Sequence, residues 1–111
     1  MFFNDKINSR ARAAIGWTTT GTEKEAKSLA QELVETGLAR CAQISGPISS
    51  VYTWKDRIET EMEYRITLKF LSSRAKEIEA YLLKHHSYEE PQWIWIEAAD
   101  TSEGYGKWLA E

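Results

Sequence analysis

The sequence predicts an α+β sandwich, a four-stranded sheet with two helices against it, and three observations carry that prediction. Two stretches repeat apolar residues at helical spacing: Ala26, Leu29, Ala30, Leu33 and Val34, then Ala75, Ile78 and Leu82. Around them lie segments patterned as strands, clearest where Tyr64, Ile66, Leu68 and Phe70 alternate with Arg65, Thr67 and Lys69. The resulting order is β-α-β-β-α-β with a short helix after it, and 111 residues leave room for one such domain and little for a second.

Ala13 to Thr19 opens the fold as a strand. Thr22 starts the first helix, with Glu25 three residues on in a capping-box pattern. Gly37 stops it, because glycine takes the left-handed conformation at little cost. Leu38 to Ile44 reads as a strand, and beyond Gly46-Pro47 the extended pattern resumes. There Ile48, Ser50, Tyr52 and Trp54 share one side, and Ser49, Val51, Thr53 and Lys55 the other. Neither side is wholly polar, so this strand is expected to be partly covered on both faces. Lys55-Asp56-Arg57 makes the turn into the alternating strand. Ser72 or Ser73 is expected to cap the second helix, which ends near His85-His86. Pro91 precedes a short apolar strand, Gln92 to Ala98, and Asp100 with Glu103 offers a second capping-box-like start. On the last helix Tyr105, Trp108 and Leu109 share a face.

A split βαβ order of this kind folds as an antiparallel sheet with both helices on one face, the ferredoxin-like sandwich. The other face is left to Trp, Tyr, Lys and Arg side chains, which need water, a ligand or another subunit. Five Trp and five Tyr are more aromatic surface than so small a core takes in, which points to a partner. Residues 1–10 are expected to form a flexible tail and residues 11–111 the single domain.

Seventeen acidic against fourteen basic residues give a net charge of −3, the wrong sign for a general binder of nucleic acid or anionic membrane. The strand from Glu63 to Phe70 also lacks the glycine-aromatic signature of RNA-recognition modules. No segment approaches the roughly 18 apolar residues of a membrane helix, and the N-terminus has no apolar stretch long enough for a secretory signal. The lone Cys41 permits no intrachain disulfide, which fits a reducing compartment; the expected location is the cytoplasm. There is no Gly-rich phosphate loop, no nucleophile elbow and no spaced His/Cys/Asp set, so the chain reads as non-enzymatic.

Leu38-Ala39-Arg40-Cys41-Ala42, Tyr52-Thr53-Trp54-Lys55, Glu63, Lys69 and His86-Ser87-Tyr88-Glu89-Glu90-Pro91 follow one another in order. Together they resemble the divalent-cation tolerance (CutA) family, from about Ala13 to Leu109. The resemblance implies a ferredoxin-like subunit in a tight homotrimer with edge strands pairing between subunits. It implies a cytoplasmic protein without firmly established catalysis, concerned with tolerance to copper and other divalent cations. Because the trimer is similar in architecture to the PII signalling proteins, it also implies an alternative: a small-molecule-sensing trimer with no physiological metal. Three positions depart from the family pattern. Asp56 stands where glycine usually follows Tyr-x-Trp-Lys, and Ser87 stands in place of the proline of His-Pro-Tyr-Glu. Thr18, a poor copper ligand, occupies the position where members credited with copper binding carry cysteine.

Four sets of residues are candidates for a site. His85 and His86 offer imidazoles suited to Cu(II), Ni(II) or Zn(II). Adjacent helical residues point about 100° apart, so a site there needs ligands from other subunits or a loosened helix end. The plainer reading is a favourable cation at a helix C-terminus, with His86 bonding locally. Cys41 is either a soft ligand or nucleophile, or a small buried hydrophobe. Glu63, Lys69, Tyr88 and Glu89 suggest a cleft in which the lysine meets an acid or holds an anionic ligand, or else an inter-subunit salt bridge. Tyr52 and Trp54, facing Trp93 or Trp95, would stack a ring-shaped ligand or form the trimer interface, and the interface is the reading adopted. No cofactor is obligatory in this reading. The ligands it allows are Cu2+, another divalent cation or a small molecule, and the partners are further copies of the chain.

Overall fold

The Thr22 hydroxyl accepts a hydrogen bond from the Glu25 backbone N–H at 3.1 Å and so opens helix α1 (Glu23–Glu35). Thr36 N–H closes onto the Glu32 carbonyl, and Gly37 follows at φ 79°, the left-handed stop that the sequence predicts. This is a computed structural model, and it describes residues 12–111; the expected tail at residues 1–10 lies outside the described residues. Before α1 runs strand β1 (Ala13–Thr20). After it come β2 (Cys41–Trp54), β3 (Arg57–Leu71), a 3-10 turn (Ser72–Arg74), α2 (Ala75–His85), β4 (Ile94–Glu97) and α3 (Glu103–Ala110). The sheet order is β2-β3-β1-β4 with every neighbouring pair antiparallel, as a ferredoxin-like α+β sandwich requires.

Ala26, Leu29, Ala30 and Leu33 from α1, and Ala75, Ile78 and Leu82 from α2, bury against Ile66, Leu68 and Phe70 of β3. Removing each large aliphatic side chain from water contributes about 1.5–3 kcal/mol. Val34, the last residue of the predicted stripe, is exposed. At Gly16 a Cβ would stand 2.5 Å from the Trp93 indole, so glycine lets that ring lie across β1.

Four details differ from the sequence reading. β2 is one strand through Gly46-Pro47, not two: the ladder runs from Cys41 opposite Lys69 to Trp54 opposite Arg57, with a register shift between Ser45 and Ile48. No side chain caps α2; the Ser72 hydroxyl instead accepts from the Arg12 N–H at 3.1 Å. Ser102, not Asp100, caps α3, accepting from the Tyr105 N–H at 3.4 Å, while Asp100 bonds the Thr101 N–H at 2.9 Å. β4 covers only Ile94–Glu97, opposite Trp17 to Ala14 of β1; the Ala98 N–H still reaches the Ala13 carbonyl at 2.9 Å, while Gln92 and Trp93 lie outside the ladder.

The β2–β3 hairpin sets the shape. Its tip, Lys55-Asp56, has φ of 50° and 65°, the two left-handed residues of a type I′ turn. β1 pairs with β3 only from Tyr64 to Leu71, so the ribbon beyond runs on without a third strand. The described residues accordingly span 51 × 28 × 24 Å. Val51, Ile58 and Met62 on this ribbon are exposed, and so are Ile94, Trp95 and Ile96 on β4 at the opposite edge. No described helix is long and apolar enough to cross a membrane.

Candidate functional site

His86 follows the last turn of α2 in extended conformation, and its side chain is fully buried. Its Nε2 lies 2.7 Å from the Thr19 carbonyl oxygen and its Nδ1 2.9 Å from the Tyr88 backbone nitrogen. A carbonyl can only accept and a peptide N–H only donate, so Nε2 carries the proton and the ring is a neutral Nε2–H imidazole. Both nitrogens are therefore committed. The Glu25 carboxylate lies 3.6 Å from Nδ1 and accepts from the Ser87 N–H (2.9 Å) and hydroxyl (2.8 Å). Proline at position 87 would supply neither donor. Serine there creates a tie between α1 and the loop after α2.

His85 has a different fate. It is exposed, with its ring stacked on Tyr81 at 4.1 Å. The two histidines thus do not form a ligand pair: one is a core group and the other a surface group. Among the described residues no three His, Cys, Asp or Glu side chains converge as a metal site would need. Thr18 is fully buried, and its hydroxyl has no partner among the described residues.

The expected cleft is assembled in part. The Tyr88 hydroxyl donates to Glu63 Oε2 at 2.8 Å, and the Tyr88 ring leans on His86 with centroids 4.8 Å apart. Burial, then the hydrogen bond to Glu63 and its charge, hold the Tyr88 phenol far above the usual range. Glu63, Tyr88 and Glu89 line a groove of about 630 Å³ together with Tyr52, Trp54 and Glu90. Lys69 is absent from it. Six residues along β3 place Lys69 about 20 Å from Glu63, and its ammonium sits instead 5.9 Å from the Tyr105 ring. Cys41 is directly opposite Lys69 and half-buried, so it too is remote from the groove and from both histidines.

Within one chain Tyr52 and Trp54 do not face Trp93 or Trp95, because β2 and β4 are opposite edges of the sheet. Trp93 and Trp95 pack on Phe70 instead, at centroid distances of 5.7 and 6.1 Å. Trp93 therefore belongs to the packing under the sheet, whereas Tyr52 and Trp54 remain on the surface. Burial, then the charges of Glu61, Glu59 and Glu63, raise the Tyr52 phenol as well. The sequence reading missed Glu25, Thr19 and Glu90. Glu25 carried a signal, its capping-box position, but the carboxylate serves Ser87 rather than the helix start.

Three comparisons bear on this arrangement. Residues 14–111 match the family model described as CutA1 divalent ion tolerance protein. The chain is 36% identical over 91 residues, 82% of its own length and 79% of the relative's, to a probable divalent-cation tolerance protein cutA homolog of Encephalitozoon cuniculi. Among solved structures, CutA from Synechococcus elongatus PCC7942 superposes with a TM-score of 0.85 at 34% identity, over 90% of this chain and 88% of that one. The protein of Archaeoglobus fulgidus described as a periplasmic divalent cation tolerance protein CutA superposes equally well, at 0.85 and 26% identity, over 88% and 95%.

Proposed function

The chain belongs to the CutA1 divalent ion tolerance family, and from that premise we propose that it acts without catalysis, as a cytoplasmic homotrimer in the response to divalent cations. The observation that carries the assembly is the pair of open sheet edges. The β2 edge with its protruding ribbon and the β4 edge with Ile94, Trp95 and Ile96 both expose apolar side chains beside unpaired backbone groups. Edge-to-edge pairing between copies joins unlike surfaces, and such an interface closes into a ring when the rotation per step divides the circle. Tyr52, Trp54 and Trp95 stand at those edges and form the proposed interface. Size-exclusion chromatography with light scattering is expected to give three chains; a stable monomer at micromolar concentration overturns the assembly.

Copper, or another divalent cation, is the ligand that the family description suggests, and the donor set of the described residues in one chain does not fit it. His86 has no free nitrogen, Thr18 offers a buried hydroxyl where a thiolate would be wanted, and no three donors converge among the described residues. On the described residues, a metal-binding role calls for donors beyond those one chain brings together, with His85 the available imidazole. The mixed aromatic and acidic groove favours the second reading, a PII-like trimer that senses a small molecule and has no physiological metal.

A further inference from the structure

We propose that the groove beside Glu63 is a receptor for one organic cation, an ammonium or guanidinium group, seated between the Glu63 carboxylate and the rings of Tyr52 and Trp54. Glu63 is 7% exposed, and among the described residues it has no cationic partner. Tyr88 occupies Oε2 only, leaving Oε1 without a hydrogen bond among the described residues in a side chain that lines the groove. The free Glu63 oxygen opens onto the groove while Tyr88 holds the other, so a cation entering there meets a carboxylate already fixed in place.

The walls select the same chemistry. Glu89 and Glu90 add negative charge, and no Lys, Arg or His is among the lining residues. Tyr52 and Trp54 supply π-faces, which attract weakly hydrated cations. Trp54 already has one alkylammonium, that of Lys55, 5.9 Å from its ring centroid at the exposed tip, while the groove carboxylate has no such partner. A divalent metal ion fits poorly. It wants several oxygen or nitrogen donors at short range and gains nothing from ring faces, whereas an alkylammonium or guanidinium gains from both carboxylate and rings.

All of these groups come from one chain, although Tyr52 and Trp54 also belong to the proposed interface, so binding and assembly are measured separately. The cation comes either from a free amine or from a lysine or arginine of a second copy. The test titrates the full chain with choline, butylammonium and butylguanidinium, with 3,3-dimethylbutanol as the neutral isostere of choline. Calorimetry and tryptophan fluorescence follow binding, and light scattering follows assembly. Saturable binding of a cation is expected, at least tenfold weaker for the isostere and at least tenfold weaker in Glu63→Gln. Trp54→Leu removes a ring face while leaving Glu63 and its Tyr88 hydrogen bond in place, and is expected to weaken the free cations at least tenfold, which keeps the test decisive should Glu63→Gln fail to fold. If a second copy supplies the cation, free cations leave wild type unchanged and Glu63→Gln dissociates the assembly. No binding with assembly intact in Glu63→Gln overturns the proposal. So does choline binding no tighter than its isostere, or undiminished binding in Glu63→Gln. A monomeric wild type that still binds cations removes the trimer and leaves the receptor.

Discussion

Replacing each of the adjacent histidines by alanine separates a core imidazole from a surface one. His86→Ala deletes the donor to the Thr19 carbonyl and the acceptor of the Tyr88 N–H, bonds of 2.7 and 2.9 Å made by a fully buried side chain. Each partner left unsatisfied costs about 1–3 kcal/mol, and the vacated ring space adds a cavity term. A loss of about 3–5 kcal/mol follows, a large share of the roughly 5–15 kcal/mol that holds a domain folded. His85→Ala removes only an exposed ring stacked on Tyr81, for which about 0.5–1 kcal/mol is expected. Urea denaturation at one fixed chain concentration reads the difference, since any assembly adds a concentration-dependent stability. With a slope of about 1–3 kcal/mol per molar, the His86→Ala midpoint should fall by about 1 M or more below that of His85→Ala. Equal midpoints for the two variants refute the reasoning. A well-folded His86→Ala protein that has lost copper binding restores His86 as a ligand.

Two further predictions follow from the same structure. Asp56→Gly relieves a non-glycine residue at φ 65° and should raise the thermal midpoint by a few degrees, about 1 kcal/mol at most after the added freedom of the unfolded chain; a lower midpoint would mean that the aspartate side chain supports the turn. The Tyr81 phenol is pushed up to about 12 by burial and then by its hydrogen bond to Glu32, and Tyr88 is raised further, from an ordinary value of 10.0. The folded chain thus keeps protons that the unfolded chain releases, so stability is full below about pH 10 and falls as pH climbs toward 12; urea midpoints that stay flat across that range, with all five tyrosines titrating together in ultraviolet absorbance, would contradict it.

The elements legible in the sequence are those fixed by local chemistry. Thr22 and Gly37 bound α1 because a cap and a left-handed stop are decided within a few residues, and the alternation at Tyr64–Phe70 declares a strand with one buried face. What sequence reading loses depends on partners distant along the chain. Ser72 is a plausible cap until the Arg12 N–H, 60 residues away, claims its hydroxyl. His86 looks like half of a ligand pair until Thr19, 67 residues away, takes its Nε2. Lys69 and Glu63 look like neighbours in a cleft until the strand that carries both is laid out at its full length. The aromatics divide for the same reason: only sheet order reveals that Trp93 lies under the sheet while Tyr52 and Trp54 lie on the far ribbon.

That division bears on where function resides. The described residues alone place their polar machinery at one end of the sheet, where Glu25, His86, Tyr88 and Glu63 form a chain of hydrogen bonds and contacts running from α1 to the groove. Each link fixes the next. Glu25 holds the loop through Ser87, His86 orients the Tyr88 backbone, and the Tyr88 hydroxyl sets the Glu63 carboxylate against the ribbon that carries Tyr52 and Trp54. The ribbon is also the part of the molecule that its own core supports least, since β1 stops short of it and Val51, Ile58 and Met62 remain in water. A subunit docking on the ribbon, as proposed, would fix the position of the groove's aromatic wall, while a cation bound at Glu63 would fix that same wall from inside. Two events that order the same wall are expected to be coupled, and such a coupling is reciprocal: what one gains from the other, the other gains by the same factor. Cation affinity should therefore rise with chain concentration across the assembly transition, and cation should shift that transition to lower concentration by a matching amount. An affinity independent of assembly would separate the groove from the interface and leave the ribbon a scaffold only.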